Sequence, residues 1–153
     1  MEPLLVRNAQ LDEELVSLRC EGGVIVAIAP DLSPRDGELV IEADGMLVTP
    51  PMVNCHTHSA MTLFRAYGDD LPLMEWLEKM IWPAEAKLTP DDVYWGTRLA
   101  AVEMLRSGTT RFYDVYWHSD QVARAAVDTG MRVAAGQAVI DQMDPAKAPE
   151  LVA

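Results

Sequence analysis

The sequence predicts an α/β fold, with a small β unit placed ahead of a sheet whose strands run parallel. Three observations carry this expectation. Residues 3–50 hold short β-rich runs broken by turn signals. From residue 71 the apolar period becomes helical. From residue 47 the order reads strand, helices, strand, helix, strand, and right-handed crossovers turn such an order into neighbouring parallel strands.

The elements follow in chain order. "PLLVRNAQ", "ELVSLRCEGGVIVAIAP" and "ELVIEADGMLVTP" read as strands, with Gly22-Gly23 and Asp44-Gly45 marking turns. "MLVTPPMVN" is an extended apolar segment leading into the sheet. In "LPLMEWLEKMIWPAEAKL", Leu73, Trp76, Leu77, Met80 and Ile81 recur at helical spacing, and Pro83 is expected to interrupt that helix. The next helix is the clearest. Thr89 is its N-cap, Pro90 occupies the first helical position, Asp91 and Asp92 favour the positive end of the dipole, and Gly108 stops it. "TTRFYDVYW", β-branched and aromatic, predicts a buried strand. Ser119 is the expected cap of "DQVARAAVDT", which Gly130 closes, and "MRVAAGQAVID" is a further strand. "QMDPAKAPELVA" carries prolines and a helix start.

Composition excludes several functions. A chain of 153 residues, 50% hydrophobic, suffices for one domain with a real core or for a piece of something larger. With 24 acidic against 12 basic residues its formal charge is −12, which disfavours a nucleic-acid partner or an anionic membrane surface and suits a small neutral or cationic ligand. The N-terminus lacks the basic flank of a signal peptide, and no apolar run is long enough to span a bilayer, so a cytoplasmic location is expected. Cys20 and Cys55 have no CxxC spacing, which fits a reducing compartment, and both read as small core residues.

The chemistry concentrates in "VNCHTHSAMT". Along a strand, residues two apart face the same side, so His56 and His58 project together while Cys55 and Thr57 point elsewhere. Two imidazoles at the carboxyl edge of a parallel sheet can hold zinc or a similar borderline cation, given further ligands. The alternative is a pair of hydrogen-bonded polar histidines at a strand end. Other HxH metal folds fit poorly. A metallo-β-lactamase pattern wants Asp-His immediately beyond, where Ser59, Ala60 and Met61 stand, and a cupin wants a glutamate a few residues on, where no acidic residue precedes Asp69.

Five elements, "P-x-x-V-N-x-H-T-H", "M-T-L-x-R", "W-L", "P-x-E-x-x-L-T" and "E-M-L-R-S-G-T-T", follow one another between Pro50 and Thr110. In them the sequence resembles the amidohydrolase superfamily, in the deaminase and chlorohydrolase branch that includes methylthioadenosine and S-adenosylhomocysteine deaminases. The resemblance implies the N-terminal part of a metal-dependent (β/α)8 barrel preceded by strands of a small β-sandwich. Residues 1–48 would be the sandwich strands, and residues 49–153 the first strands and helices of an incomplete barrel. It implies one divalent metal ion, zinc by preference, with His56 and His58 as ligands on the first barrel strand. It aligns Glu85 with a glutamate that binds ribose hydroxyls, a task a carboxylate suits because it accepts two hydrogen bonds at once, and Trp76 with a tryptophan near the substrate.

Each of these residues also has a plainer reading. Glu85 would otherwise be a solvated residue after a proline kink, and Trp76 a core residue spaced with Leu73 and Met80. Arg65 either steadies the loop after the first barrel strand or faces water. His118 lies just past the second barrel strand, at the active-site face by topology, or is a surface histidine.

The resemblance implies hydrolysis of an aminated purine nucleoside (methylthioadenosine, adenosylhomocysteine or adenosine-like): the metal activates water for attack on the ring carbon bearing the amine, and acidic groups protonate the ring nitrogen and the departing ammonia. The partner is a small molecule, with no nucleic acid and no membrane, and a homo-oligomer at full length is left open. One departure bears on substrate. Adenosylhomocysteine deaminases carry arginines on and after the third barrel strand, whereas this chain has Gln137 and no arginine beyond Arg132. Methylthioadenosine, another aminated purine or pyrimidine, and a triazine-like ring open to a chlorohydrolase variant all stay in view. A complete barrel takes roughly 250 residues, and about 100 follow the β-rich lead, enough for about three strands. The chain therefore reads as an N-terminal piece, inactive alone, whose catalytic acid and base are unknown here and expected beyond residue 153. Apolar helix residues Leu99, Val102 and Leu105 would then have little to cover them. The competing reading is a non-catalytic α/β module whose histidines are structural.

Overall fold

The structure, a computed structural model, describes residues 2–140. Chain contacts divide it into two compact units, Met1–Pro50 and Pro51–Ala153. The helix start expected within residues 142–153 lies outside the described residues.

The first unit is one four-stranded mixed sheet in the order β3-β2-β1-β4, from β1 (Leu4–Leu11), β2 (Glu14–Glu21), β3 (Val24–Ala29) and β4 (Leu39–Glu42). Gly22 and Gly23 both take positive φ, 58° and 82°, as a two-residue hairpin turn between β2 and β3 demands. β4 returns to lie parallel to β1. Ala9, Val16, Leu18 and Ala43 form a small apolar cluster. Arg19, buried on β2, is neutralised by Glu38, and its guanidinium also donates to the Ser33 carbonyl at 2.7 Å. The described strands of this unit make a single sheet; the two packed sheets of a sandwich are not among them.

The second unit contains a parallel sheet in the order β5-β6-β7, from β5 (Met52–Thr57), β6 (Thr109–Tyr116) and β7 (Arg132–Gln137), as the alternation of elements predicts. β5 runs through His58 into a 3₁₀ helix, Ser59–Phe64. A helical run then spans Leu73–Glu85 as α1 (Leu73–Trp76), a π-helical turn (Leu77–Ile81) and α2 (Trp82–Glu85). The expected break at Pro83 does not occur. The widened turn before it, closed by the Trp82 N–H on the Leu77 carbonyl, accommodates the proline ring and its missing donor.

α3 (Pro90–Arg106) connects β5 to β6, and α4 (Ser119–Thr129) connects β6 to β7. α3 starts as its sequence demands: the Asp92 N–H donates to the Thr89 hydroxyl at 3.2 Å while the Thr89 N–H donates to the Asp92 carboxylate at 2.8 Å, a reciprocal cap. Gly108, with φ of 84°, turns the chain out of the helix end. α4 differs from expectation. Its cap position is His118, in the left-handed conformation, and Ser119 is the first helical residue. The Ser119 N–H is satisfied from a distance, by the side-chain carbonyl of Gln137 on β7 at 3.2 Å.

Ala60, Val93, Ala101, Phe112, Tyr116, Val122, Ala126 and Met131 form the core under the helices. β6 is buried on alternate residues, not throughout: Phe112, Asp114 and Tyr116 lie under the helices while Tyr113 is 48% exposed on the other face. A parallel sheet ordinarily has both faces covered, and no described element of this unit covers this one. Leu99, Val102 and Leu105 on α3 are likewise exposed, as expected. Cys55 is exposed rather than in the core, because β5 is an edge strand with an open face, and Cys20 is half-buried; neither is in a disulfide. No described helix is long and apolar enough to cross a membrane.

The α3 cap makes a prediction. Thr89→Ala should cost about 1 kcal/mol, the usual worth of an N-cap hydroxyl, read as a shift in the urea midpoint. The Asp92 carboxyl is held below its ordinary value first by the Thr89 hydroxyl and then by the Thr89 N–H. A carboxyl depressed on folding contributes stability above its unfolded pKa and loses it as pH falls through the folded value. The gap between wild type and Asp92→Asn should therefore be full near neutrality and narrow below about pH 4; a gap that widens on acidification would contradict the assignment.

Candidate active site

His56 and His58 lie together at the carboxyl end of β5, their ring centroids 5.1 Å apart and their planes at 78°. The strand alternation thus brings both imidazoles to one place, and both are exposed. His58 Nδ1 lies 2.7 Å from the Val115 carbonyl on β6. A carbonyl can only accept, so Nδ1 carries the proton and the Nε2 lone pair is left free to bind a cation, the arrangement by which a second partner fixes a ligating imidazole.

What holds this strand end in place is Asp114 on β6. Its carboxylate is 1% exposed, and Oδ2 accepts from the Ser59 N–H at 2.7 Å and lies 2.8 Å from the Thr57 hydroxyl. These two donors flank His58 on either side in sequence. The Thr57 hydroxyl has a second acceptor, the Tyr113 carbonyl at 2.9 Å. Ser59 is tied further to α3 through its hydroxyl, 3.0 Å from that of Thr97, and Thr62 donates to the Gly96 carbonyl at 2.8 Å. Gly96 makes this approach feasible, since a Cβ there would sit 2.7 Å from the Ala60 carbonyl oxygen.

Beside the histidines opens a cavity of about 290 Å³, lined by His58, Trp76, Glu85, Tyr116 and apolar side chains from the helical run. Glu85 is half-buried and accepts a hydrogen bond from the Tyr116 hydroxyl at 2.8 Å, so it is not the solvated residue that a kink would have left. Burial first, and the Glu85 carboxylate second, hold the Tyr116 phenol far above its ordinary range, so it remains a neutral donor. Trp76 is fixed by its indole N–H, which donates to the Tyr67 carbonyl at 2.9 Å, and offers the cavity an apolar wall.

The other sequence candidates stand apart from this cavity. Arg65 pairs with Glu103 of α3 at 2.6 Å and so steadies the loop after β5. His118 caps α4 without a side-chain cap bond, and Gln137 serves that helix's first turn. Asp114 and Tyr116 are the residues the sequence reading missed. Their signal lies in "FYDVY", where two-residue alternation puts Phe112, Asp114 and Tyr116 on one face, and a carboxylate on a strand's buried face requires partners. Among the described residues no group of three or more His, Cys, Asp or Glu side chains converges for a metal. The donor set fits a divalent cation as two imidazole ligands, with the Nε2 lone pair of His58 free, and a complete site requires ligands from elsewhere.

A model of the amidohydrolase family matches residues 47–152. The chain is 53% identical over 137 residues to a 5-methylthioadenosine/S-adenosylhomocysteine deaminase of Desulforudis audaxviator, covering 84% of this chain and 32% of that protein. It superposes on an adenosine deaminase from Xanthomonas campestris with bound zinc, with a TM-score of 0.74 and 34% identity, over 85% of this chain and 32% of the other. An atrazine chlorohydrolase from Arthrobacter aurescens TC1 complexed with zinc shares the fold, with a TM-score of 0.74 and 24% identity over 93% of this chain and 37% of the other. The chain spans about a third of the length of the curated relatives it matches.

The Asp114 clamp can be measured. Asp114→Ala should destabilise the protein by roughly 1–3 kcal/mol, because the buried Ser59 N–H loses its acceptor. Thr57→Val should cost less, since Ser59 keeps the carboxylate. Equal effects of the two substitutions on the urea midpoint would show that the Ser59 bond carries little of the clamp.

Proposed function

Because this chain belongs to the amidohydrolase family, we propose that it is the N-terminal portion of a metal-dependent hydrolytic deaminase acting on an aminated purine nucleoside. The observation that carries the reading is the shared cavity, in which a metal-competent imidazole, His58, faces the same space as Glu85 and Trp76. The likeness to a methylthioadenosine/adenosylhomocysteine deaminase and to a zinc-bearing adenosine deaminase supports a nucleoside over a triazine. In this reading residues 1–48 belong to a small β-sandwich domain and residues 49–153 open a (β/α)8 barrel, both completed by sequence that the longer relatives possess.

His56 and His58 would hold one divalent cation, zinc by preference. When bound, that cation supplies Lewis-acid chemistry that makes water nucleophilic near neutral pH. The residues of this chain bind and orient. His58 keeps its Nε2 lone pair free because Nδ1 donates its proton to the Val115 carbonyl. Glu85, with one oxygen engaged by Tyr116, has its other oxygen to accept from ribose hydroxyls. Trp76, its N–H already satisfied, contributes a flat apolar surface and excludes water from that side of the base. The remaining metal ligands and the groups that move protons to the ring nitrogen and the leaving amine come from outside these 153 residues, and the chain alone is inactive. The small-molecule substrate and the cytoplasmic setting rest on the charge and cysteine grounds given above.

Two outcomes are expected. In the full-length enzyme, Glu85→Gln should weaken ribonucleosides by roughly 1 to 3 kcal/mol in kcat/KM, the range for hydrogen bonds to a charged group, and leave 2′,3′-dideoxy analogues nearly unchanged. Indifference of the wild-type enzyme to the diol, or hydrolysis of triazines without adenosine derivatives, would move the assignment to a chlorohydrolase. The 153-residue chain by itself should bind zinc only weakly in calorimetric titration. Tight stoichiometric binding abolished by His56→Ala would reveal a local ligand that the reading lacks.

A further inference from the structure

We propose that Tyr116 is a positioning residue for substrate recognition, holding one oxygen of Glu85 so that the other is the one presented to the hydroxyls of the substrate sugar. The inference rests on the reading of Glu85 as a diol-binding group and deepens it.

Glu85 is the last residue of α2, at the end of a helical run, and a glutamate there has three rotatable side-chain bonds. A hydrogen bond from Tyr116 is what fixes its carboxylate among the described residues. Freezing a glutamate side chain costs rotamer freedom, and a binding group already frozen spares the ligand that cost.

Tyr116 is suited to the task. It is 3% exposed, so its ring cannot swing away. Its backbone is held on the other side by the residue after β7, where the Ala138 N–H donates to the Tyr116 carbonyl at 3.0 Å. A phenol hydroxyl has one proton, and donating it to Oε1 leaves Oε2 with both lone pairs for the ligand. The Tyr116 ring also lies 6.2 Å from that of His58, centroid to centroid, so the phenol that holds the carboxylate stands beside the imidazole.

The test uses the full-length, zinc-loaded enzyme and two probes, 5′-methylthioadenosine and its 2′,3′-dideoxy analogue. Tyr116→Phe keeps the ring and removes only the hydroxyl. It should raise KM for the ribonucleoside by about tenfold, equivalent to about 1.4 kcal/mol, with kcat and zinc content unchanged and with the dideoxy analogue unaffected. In a Glu85→Ala background the same substitution should add nothing, because the carboxylate it positions is gone. If Glu85→Ala raises KM and Tyr116→Phe does not, the diol reading of Glu85 stands and the positioning role is overturned. If Glu85→Ala itself leaves KM unchanged, the diol reading is wrong and the proposal falls with it. Equal losses on both probes, or a fall in zinc content, would assign Tyr116 a general structural role and overturn the proposal as well.

Discussion

The carboxylate of Asp114 is the interaction on which the geometry of the site depends. Burying a charged group is costly unless it is hydrogen-bonded, and here Oδ2 takes the Ser59 N–H and lies beside the Thr57 hydroxyl, on either side of His58, while Oδ1 is buried without a hydrogen-bond partner among the described residues. The chain must leave β5 in one direction for those bonds to form. That exit sets the His58 ring against the Val115 carbonyl, one residue along β6 from Asp114 itself. A single strand therefore supplies the anchor for the turn, the partner for the imidazole and, at Tyr116, the partner for Glu85.

Around this anchor the packing is close and largely built on small residues. Ala60 and Gly96 let the 3₁₀ helix after His58 lie against α3, and the Ser59–Thr97 and Thr62–Gly96 hydrogen bonds hold it there. Elsewhere the unit is open. One face of the parallel sheet and the outer residues of α3 carry exposed apolar side chains, which matches a chain that covers about a third of the length of its relatives.

Much of this was legible in the sequence because it is determined locally. β-rich runs and turn signals place the strands, Thr89-Pro90 and Gly108 bracket α3, and HxH at a strand end puts His56 and His58 side by side. The misses share a different cause, which is dependence on residues far along the chain. Ser119 looks like a cap until Gln137 of β7 takes over its N–H. Glu85, which the sequence leaves open between a ligand-binding and a solvated residue, gains a partner in Tyr116 from β6. Asp114 does not stand out in "TTRFYDVYW", whose β-branched and aromatic run reads as a buried strand, whereas the strand is buried only on alternate residues. Cys55 looks like a core residue until the edge position of β5 is known.

The π turn at Leu77–Ile81 has a geometric consequence for the cavity. Trp76 and Glu85 are nine positions apart, and at roughly 3.6 residues per turn that is about two and a half turns, which would set them on opposite sides of a regular helix. A π turn absorbs one additional residue, so the two side chains are in angular phase as if about eight positions apart and can both border the same space. The irregular turn thus acts as a phase correction. A one-residue insertion elsewhere in this run would rotate the carboxylate about 100° away from the indole, whereas one taken up within the turn would leave the pair facing together.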